Sequence, residues 1–311
     1  MTTSPLAPYQ EQALRRFIKA LPPSSSAVLE LGSDLEAKVV RRLASLTTCE
    51  VVGINPAPEF PRVPEGEHLP DTIRLIRTDG RIIPLPDDSI DAVFTVATIE
   101  HVADVELFYA EVRRVLKPGG VLVANFAPIW SSSNGHHTFA VVGAKEARYW
   151  KPGRNPIPDF SHLLWSSDEM REFLRQGPCD DSLVESIVEW IYHGDGVNRL
   201  SLEEHLHALD GSGLTCERLR LSPGVRPDPE TESRLLARYG VERRFDVAGV
   251  EATMRKCASQ QDVYKAASRR ITSQAFSAVD DFARSFSPVL RRSRKIRRLL
   301  NRRHLRSDAE S

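Results

Sequence analysis

Apolar positions along the chain follow two periods in alternation. AVLEL (27–31), CEVVGIN (49–55), TIRLIRTD (72–79), SIDAVFTVA (89–97) and GVLVANFAP (120–128) are short, β-branched runs that read as buried strands. Between them stand stretches of helical spacing. Residues 8–20 place Leu14, Phe17 and Ile18 on one side, and DLEAKVVRRLASL (34–46) does the same with Val39, Val40, Leu43 and Leu46. VELFYAEVRRVL (105–116) is a further helix, stopped by KPGG. Strands that alternate with helices predict an α/β fold, with a parallel sheet covered on both faces.

The rhythm breaks between residues 130 and 200, where His, Trp, Pro, Ser and Gly accumulate around helices near 167–175 and 182–192. It returns with SLEEHLHALDGSG (201–213), whose Ser201 and Glu204 form a capping-box pattern ahead of terminal glycines. LTCERLRLS (214–222) and VEATMRK (250–256) supply two more strands, with a helix near 229–239 between them. The expectation is seven strands in a chain divided as follows. An N-terminal helix fills 1–23, a core 24–128, an insertion that covers the substrate 129–200, closing elements 201–257 and a helical basic extension 258–311.

Composition narrows the class. The 311 residues are 41% hydrophobic and 27% charged, as in ordinary globular proteins. No apolar run reaches membrane-spanning length, and MTTSPLAPYQ lacks the charged and apolar regions of a secretion signal, so a cytoplasmic setting is expected. Cys49, Cys179, Cys216 and Cys257 have no paired spacing for zinc or redox chemistry, and no metal is expected. The formal charge of zero conceals an asymmetry. RRSRKIRRLLNRRHLR (291–306) carries nine Lys or Arg, and without residues 291–311 the chain holds 33 basic and 40 acidic residues. The tail is either a solubilising end or a helix starting at Ser287-Pro288 that rests on anionic membrane. The acidic body argues against nucleic acid as the partner.

Ligands of open parallel sheets sit beyond the carboxyl ends of the strands, where strand order reverses. Those ends carry Glu30, Gly32 and Asp34, then Asn55, then Asp79 and Gly80, then Glu100 and His101. Four candidate histidines lie after the fourth and fifth strands. His136 and His137 (NGHHTF, 134–139) open the insertion just after the fifth strand and, with His101 and His162, are candidates for a general base near neutral pH. The bland readings are a capping or packing role for His101, a polar loop for the adjacent pair, and packing or solvent positions for His205 and His207. Trp130, Trp150 and Trp165 either stack on an acceptor or build a local core.

The string DGRIIPLPDDSIDAVFTVATIEHVADVELFYAEVRRVLKPGGVLVANFAP resembles class I S-adenosylmethionine-dependent methyltransferases of the ubiquinone/menaquinone-biosynthesis type. The likeness covers 26–128 well and 201–256 loosely. It implies a seven-stranded Rossmann-like methyltransferase sheet with helices on both faces, and S-adenosylmethionine as cofactor. By position, Glu30 and Gly32 would form the loop under the methionine and ribose, and Asp79 would take the adenine amino group with Gly80 beside the ring. Glu100 is counted with the cofactor residues. The loop keeps one glycine of the usual three, and Asn55 stands where the family has an acid on the ribose diol. A phosphate-free cofactor needs less bare backbone than a dinucleotide, so the loop tolerates this loss. The expected activity is O-methylation of a small-molecule or glycan acceptor, with His136 or His137 as base and His101 completing the pocket. The alternatives are a non-catalytic S-adenosylmethionine-binding scaffold and an RNA methyltransferase.

Overall fold

The computed structural model describes residues 6–78, 81–141, 143, 155–177 and 179–257. Asp79, Gly80, Trp150 and the basic run at 291–306 therefore lie outside the described residues, and so do the expectations placed on them. Seven strands form one sheet: β1 (Ala27–Leu31), β2 (Glu50–Asn55), β3 (Ile73–Arg77), β4 (Ile90–Val96), β5 (Leu116–Phe126), β6 (Thr215–Pro223) and β7 (Val247–Arg255). Their spatial order is β3-β2-β1-β4-β5-β7-β6. The first five strands run parallel, and β7 is antiparallel to both β5 and β6, which corrects the all-parallel expectation. The reason is connectivity: α8 (Pro229–Tyr239) links β6 to β7 and returns the chain to lie between β5 and β6.

Side chains one residue apart on a strand face opposite sides, and this divides the core. Val28, Val51, Ala92, Phe94, Val96, Val121 and Val123 meet α1 (Pro8–Ala20) and α2 (Lys38–Leu46) through Leu14, Phe17, Val39, Val40 and Leu43. The alternate residues Leu29, Leu31, Val93, Leu122 and Ala124 are also buried. Their face is that of α3 (Val105–Val115) and α7 (Leu202–Gly211), which pack on one another. Strand β5 begins at Leu116, so KPGG belongs to the strand and not to a loop before it. The register against β4 shifts between Ile90 and Ala92, which absorbs the extra residues.

Much of the motif-bearing string is framework. Asp91 accepts from the backbone N–H of Ser26 and Ala27 and pairs with Lys117 at 2.9 Å, tying the starts of β1, β4 and β5. Arg114 donates to the carbonyls of Ile83 and Leu85 and to Glu111 and Asp87, which shapes the IPLPDD loop.

Residues 129–200 carry a hydrophobic cluster of their own. Met170 and Leu174 of α5 (Ser167–Arg175) meet Val184, Ile187, Val188 and Ile191 of α6 (Asp181–Tyr192), with Trp130 and Trp165 against them. These two tryptophans therefore build a local core. The short helix α4 (Ser161–Leu164) packs beside α8 around Phe160, Leu163, Leu235 and Phe245.

Phe94 is fully buried, with its ring 5.2 Å from that of Phe17 on α1. We expect Phe94→Ala to lower unfolding free energy by about 3–5 kcal/mol in urea titrations. Ile82→Ala, at a position 71% exposed, should change it by about 0.5 kcal/mol or less.

Candidate active site

Strand order reverses between β1 and β4, and the chain turns sharply after each. After β1, Gly32 adopts φ +82°, and a Cβ there would lie 2.0 Å from Thr98 Oγ1. Its missing side chain thus lets the turns after β1 and β4 approach each other. Asp34 then folds its carboxylate onto the start of α2, accepting from the N–H groups of Lys38 and Val39. The helix consequently begins at Lys38, later than the apolar spacing predicted. A helix N-terminus is where a dinucleotide pyrophosphate would rest. Here a carboxylate of the chain already fills that place, which disfavours a phosphate ligand.

Asn55 has a structural task besides the one its position suggested. Its Nδ2 donates to the Ser33 carbonyl at 2.5 Å, and its Oδ1 accepts from Ala57 N–H at 2.6 Å. The amide staples the β1 turn to the β2 turn. An acid could not make the first of these bonds, because it has no proton to give.

Two carboxyls are buried at the reversal. Glu30 is 1% exposed, accepts from Ser33 Oγ at 2.7 Å and forms no ion pair among the described residues. Burial pushes its carboxyl up to about 8, with the charge of Asp34 adding to the rise. Glu100 lies in the 3-10 turn Ile99–His101 after β4 and is also 1% exposed. Its Oε1 accepts from Ala127 N–H at 3.2 Å, while Oε2 has no partner among the described residues. Burial pushes this carboxyl to about 8 as well. Half-exposed Tyr9 on α1 faces the same region: burial first, then the charges of Glu100 and Asp34, raise its phenol.

The insertion closes on the β4 turn. Asn198 donates its N–H to the Glu100 carbonyl and its side-chain amide to the carbonyls of Ile99 and Val102. His101 is exposed, and its Nδ1 donates to the Gly196 carbonyl at 2.5 Å, which leaves Nε2 as the lone-pair nitrogen of the neutral ring. His137 is buried, packs edge-on to His101 at 4.9 Å and donates Nε2–H to the Pro128 carbonyl. Its Nδ1 is the free base position, and burial pushes the ring down to about 4. His136 is engaged at both nitrogens, by Thr138 and by Asn155, and burial holds it well below the usual imidazole range. His162 donates to the Trp130 carbonyl from a buried position. His205 is buried against Phe126, so its role is packing, and His207 faces solvent. Among the described residues no cluster of His, Cys, Asp or Glu could hold a metal ion.

The structure thus brings Glu30, Gly32, Asn55, Glu100, His101 and His137 to one end of the sheet. It sets His136 apart in a hydrogen-bonded interior. Tyr9, Ser33, Thr98 and Asn198 complete the site without any motif to mark them. The two-residue strand period does place Glu30 on the Val28 face, toward α1 and α2.

Residues 29–124 match the family model of a methyltransferase domain. That stretch, from β1 to the last residues of β5, is therefore similar to methyltransferase domains. A probable S-adenosylmethionine-dependent methyltransferase of Mycolicibacterium smegmatis is 36% identical over 172 residues, 54% of this chain and 54% of that protein. Sterol 24-C-methyltransferase ERG6B of Gibberella zeae is 33% identical over 98 residues, 30% of this chain and 26% of the enzyme. The chain thus spans about half the length of the mycobacterial relative and about a quarter of the sterol enzyme. A methyltransferase of known structure from Mesorhizobium loti superposes with a TM-score of 0.45 at 20% identity, over 78% of this chain and 96% of that one.

Two outcomes follow for the cofactor-free protein. We expect Asn55→Asp to cost about 1–3 kcal/mol in urea unfolding, because a buried carbonyl loses its donor and faces a carboxylate. Unchanged stability would dismiss the staple. The pH profile has two limbs. Unfolded imidazoles bind protons near 6.5 while the folded His137, His162 and His205 resist to about 4, so stability falls as pH drops through that window. Glu30 and Glu100 stay protonated to about 8 when folded but ionise near 4.5 when unfolded, so they cost stability as pH rises between those values. Each group contributes at most about 1.4 kcal/mol per pH unit. Three histidines outweigh two carboxyls below 6.5, which puts the stability maximum near that pH. Thermal unfolding from pH 4 to 9 measures it.

Proposed function

We propose that the chain transfers a methyl group from S-adenosylmethionine to a hydroxyl of a small-molecule or glycan acceptor. The observation that carries the reading is the pair of buried carboxyls at the β1–β4 reversal, neither with a Lys or Arg partner among the described residues, beside a helix start that Asp34 has closed to phosphate. Such a site suits a cationic, phosphate-free ligand. S-adenosylmethionine, when bound, supplies an electrophilic methyl on a sulfonium. Glu30 and Glu100 offer negative charge, and Gly32 and Thr98 set the closeness of the turns that hold them. Asn55 keeps one lone pair on Oδ1 for a ribose hydroxyl, worth about 0.5–1.5 kcal/mol as a neutral bond. Within the class, we read the LPDDSIDAVF…EHV…KPGG string as that of the ubiquinone/menaquinone type.

A hydroxyl acceptor must lose its proton as the new bond forms. Three of the candidate imidazoles are fixed by a backbone carbonyl with a lone pair left over: His101 at Nε2, His137 at Nδ1 and His162 at Nδ1, the last buried beside Trp130 and His136. His101 is the most exposed, so we assign it the base and give His137 the task of orienting it. His136 has no nitrogen to spare. The sterol relative methylates carbon by its name, yet the family match ends at residue 124, before the insertion that would meet an acceptor. That is why the target atom is argued from the histidines.

Calorimetry on the purified chain should show binding of S-adenosylmethionine and none of NAD; the reverse would end this reading. Binding without turnover on any hydroxyl acceptor would favour the scaffold alternative. With an acceptor found, His101→Gln should lower turnover by about 10²–10⁴-fold at nearly constant cofactor affinity. Full turnover in both His101→Gln and His137→Gln would remove base catalysis from the mechanism.

A further inference from the structure

We propose that Glu100 selects for the positive charge of a sulfonium, so that the site binds the charged methyl donor in preference to its neutral thioether product. The inference rests on the reading of this site as one for S-adenosylmethionine. Its geometric basis is Oε2 of Glu100, a carboxyl oxygen in a fully buried side chain with no partner. A buried carboxylate without a cation is costly, and the described residues pair none with it.

Each neighbouring element can be checked for charge. Helix α1 offers Tyr9, a phenol. The β1 turn offers Asp34, itself anionic and committed to the start of α2. The end of β5 offers only the Ala127 N–H. The segment closing the insertion offers Asn198, which is neutral, while Arg199 beyond it turns to the carbonyls of Trp190, Ile191 and Gly194. His101 in the same turn is tied to Gly196 and packs on His137. Glu30, on the neighbouring strand, is a second buried acid that accepts from Ser33 and brings no positive charge. No Lys or Arg pairs with either glutamate among the described residues.

Burial therefore keeps Glu100 protonated in the free protein up to about pH 8. A cation bound close by reverses the balance: the O–H bond breaks, and the proton leaves to buffer. The neutral product gives no such return, so the carboxyl regains a proton. Charge balances over the whole reaction. An acceptor O–H and a sulfonium become a methyl ether and a thioether, and the proton released equals the one Glu100 takes back. Glu100 is then in its preferred state as product leaves. Glu30 differs, because an ammonium on the amino-acid part of the ligand is common to donor and product.

The test is calorimetry on the full chain with S-adenosylmethionine and S-adenosylhomocysteine, in two buffers of different ionisation enthalpy, from pH 6.5 to 8.5. The donor should release about one proton more than the product at pH 6.5. Its affinity should rise by up to about tenfold per pH unit and level off near pH 8, while that of the product lacks this increment. Glu100→Gln keeps an acceptor for Ala127 N–H and should erase the difference in proton count, and Glu30→Gln should preserve it. Equal proton release for the two ligands in the unaltered chain would overturn the proposal, with no appeal to a variant. So would a difference that survives in Glu100→Gln. If neither ligand binds, the cofactor reading falls and this inference with it; if both bind with equal proton counts, only the inference falls.

Discussion

The reversal of strand order between β1 and β4 is the constraint on which the rest of the site depends. Two parallel strands that grow away from each other leave a crevice beyond their carboxyl ends, with no helix of their own to fill it. The turns after β1 and β4 must meet there. Gly32 permits this by giving its side-chain space to Thr98, and Asn55 holds the β1 turn against β2 from the other side. Once the turns meet, Glu30 and Glu100 are enclosed and lose their water. The raised carboxyls follow from that enclosure.

Stability and chemistry pull against each other at this end of the molecule. Burying two unpaired acids and several neutral imidazoles stabilises nothing by itself; each would be better solvated in the unfolded chain. The hydrophobic faces along β1, β4 and β5 offset that cost. Phe17, Phe94 and the valines around them anchor α1 over the sheet, and α1 in turn carries Tyr9 to the crevice. The insertion plays a matching part. Its own core of Met170, Leu174, Ile187 and Ile191 makes it a body that can press Asn198 and Gly196 onto the β4 turn. Histidine tautomers are then chosen by backbone carbonyls, which is how a loop-borne imidazole acquires a defined lone pair.

Much of this was legible from residues alone, and the reason is periodicity. Strands buried on both faces must be continuously apolar, helices on a sheet must repeat near 3.6, and a motif that ties strands together keeps its spacing. Seven strands and the helix positions followed from those local rules, while the likeness to methyltransferases rested on the motif string. So did the list of polar strand ends, since they fall where apolar runs stop. The antiparallel direction of β7 did not follow, because direction within a sheet depends on which neighbours a strand pairs with.

The sequence by itself determined the elements and the class of site; the tertiary structure decided what each polar residue there does. Asn55 reads only as a weakened ribose ligand until its amide is seen to hold the Ser33 carbonyl as well. His136 and His137 are equivalent in a sequence and opposite in the fold, one with both nitrogens taken and one with a nitrogen free. Trp130 and Trp165 became core, and Tyr9 became part of the site, through contacts across dozens of residues. Hydrogen-bond partners and burial are set by what arrives from elsewhere in the chain, and no local pattern records that arrival.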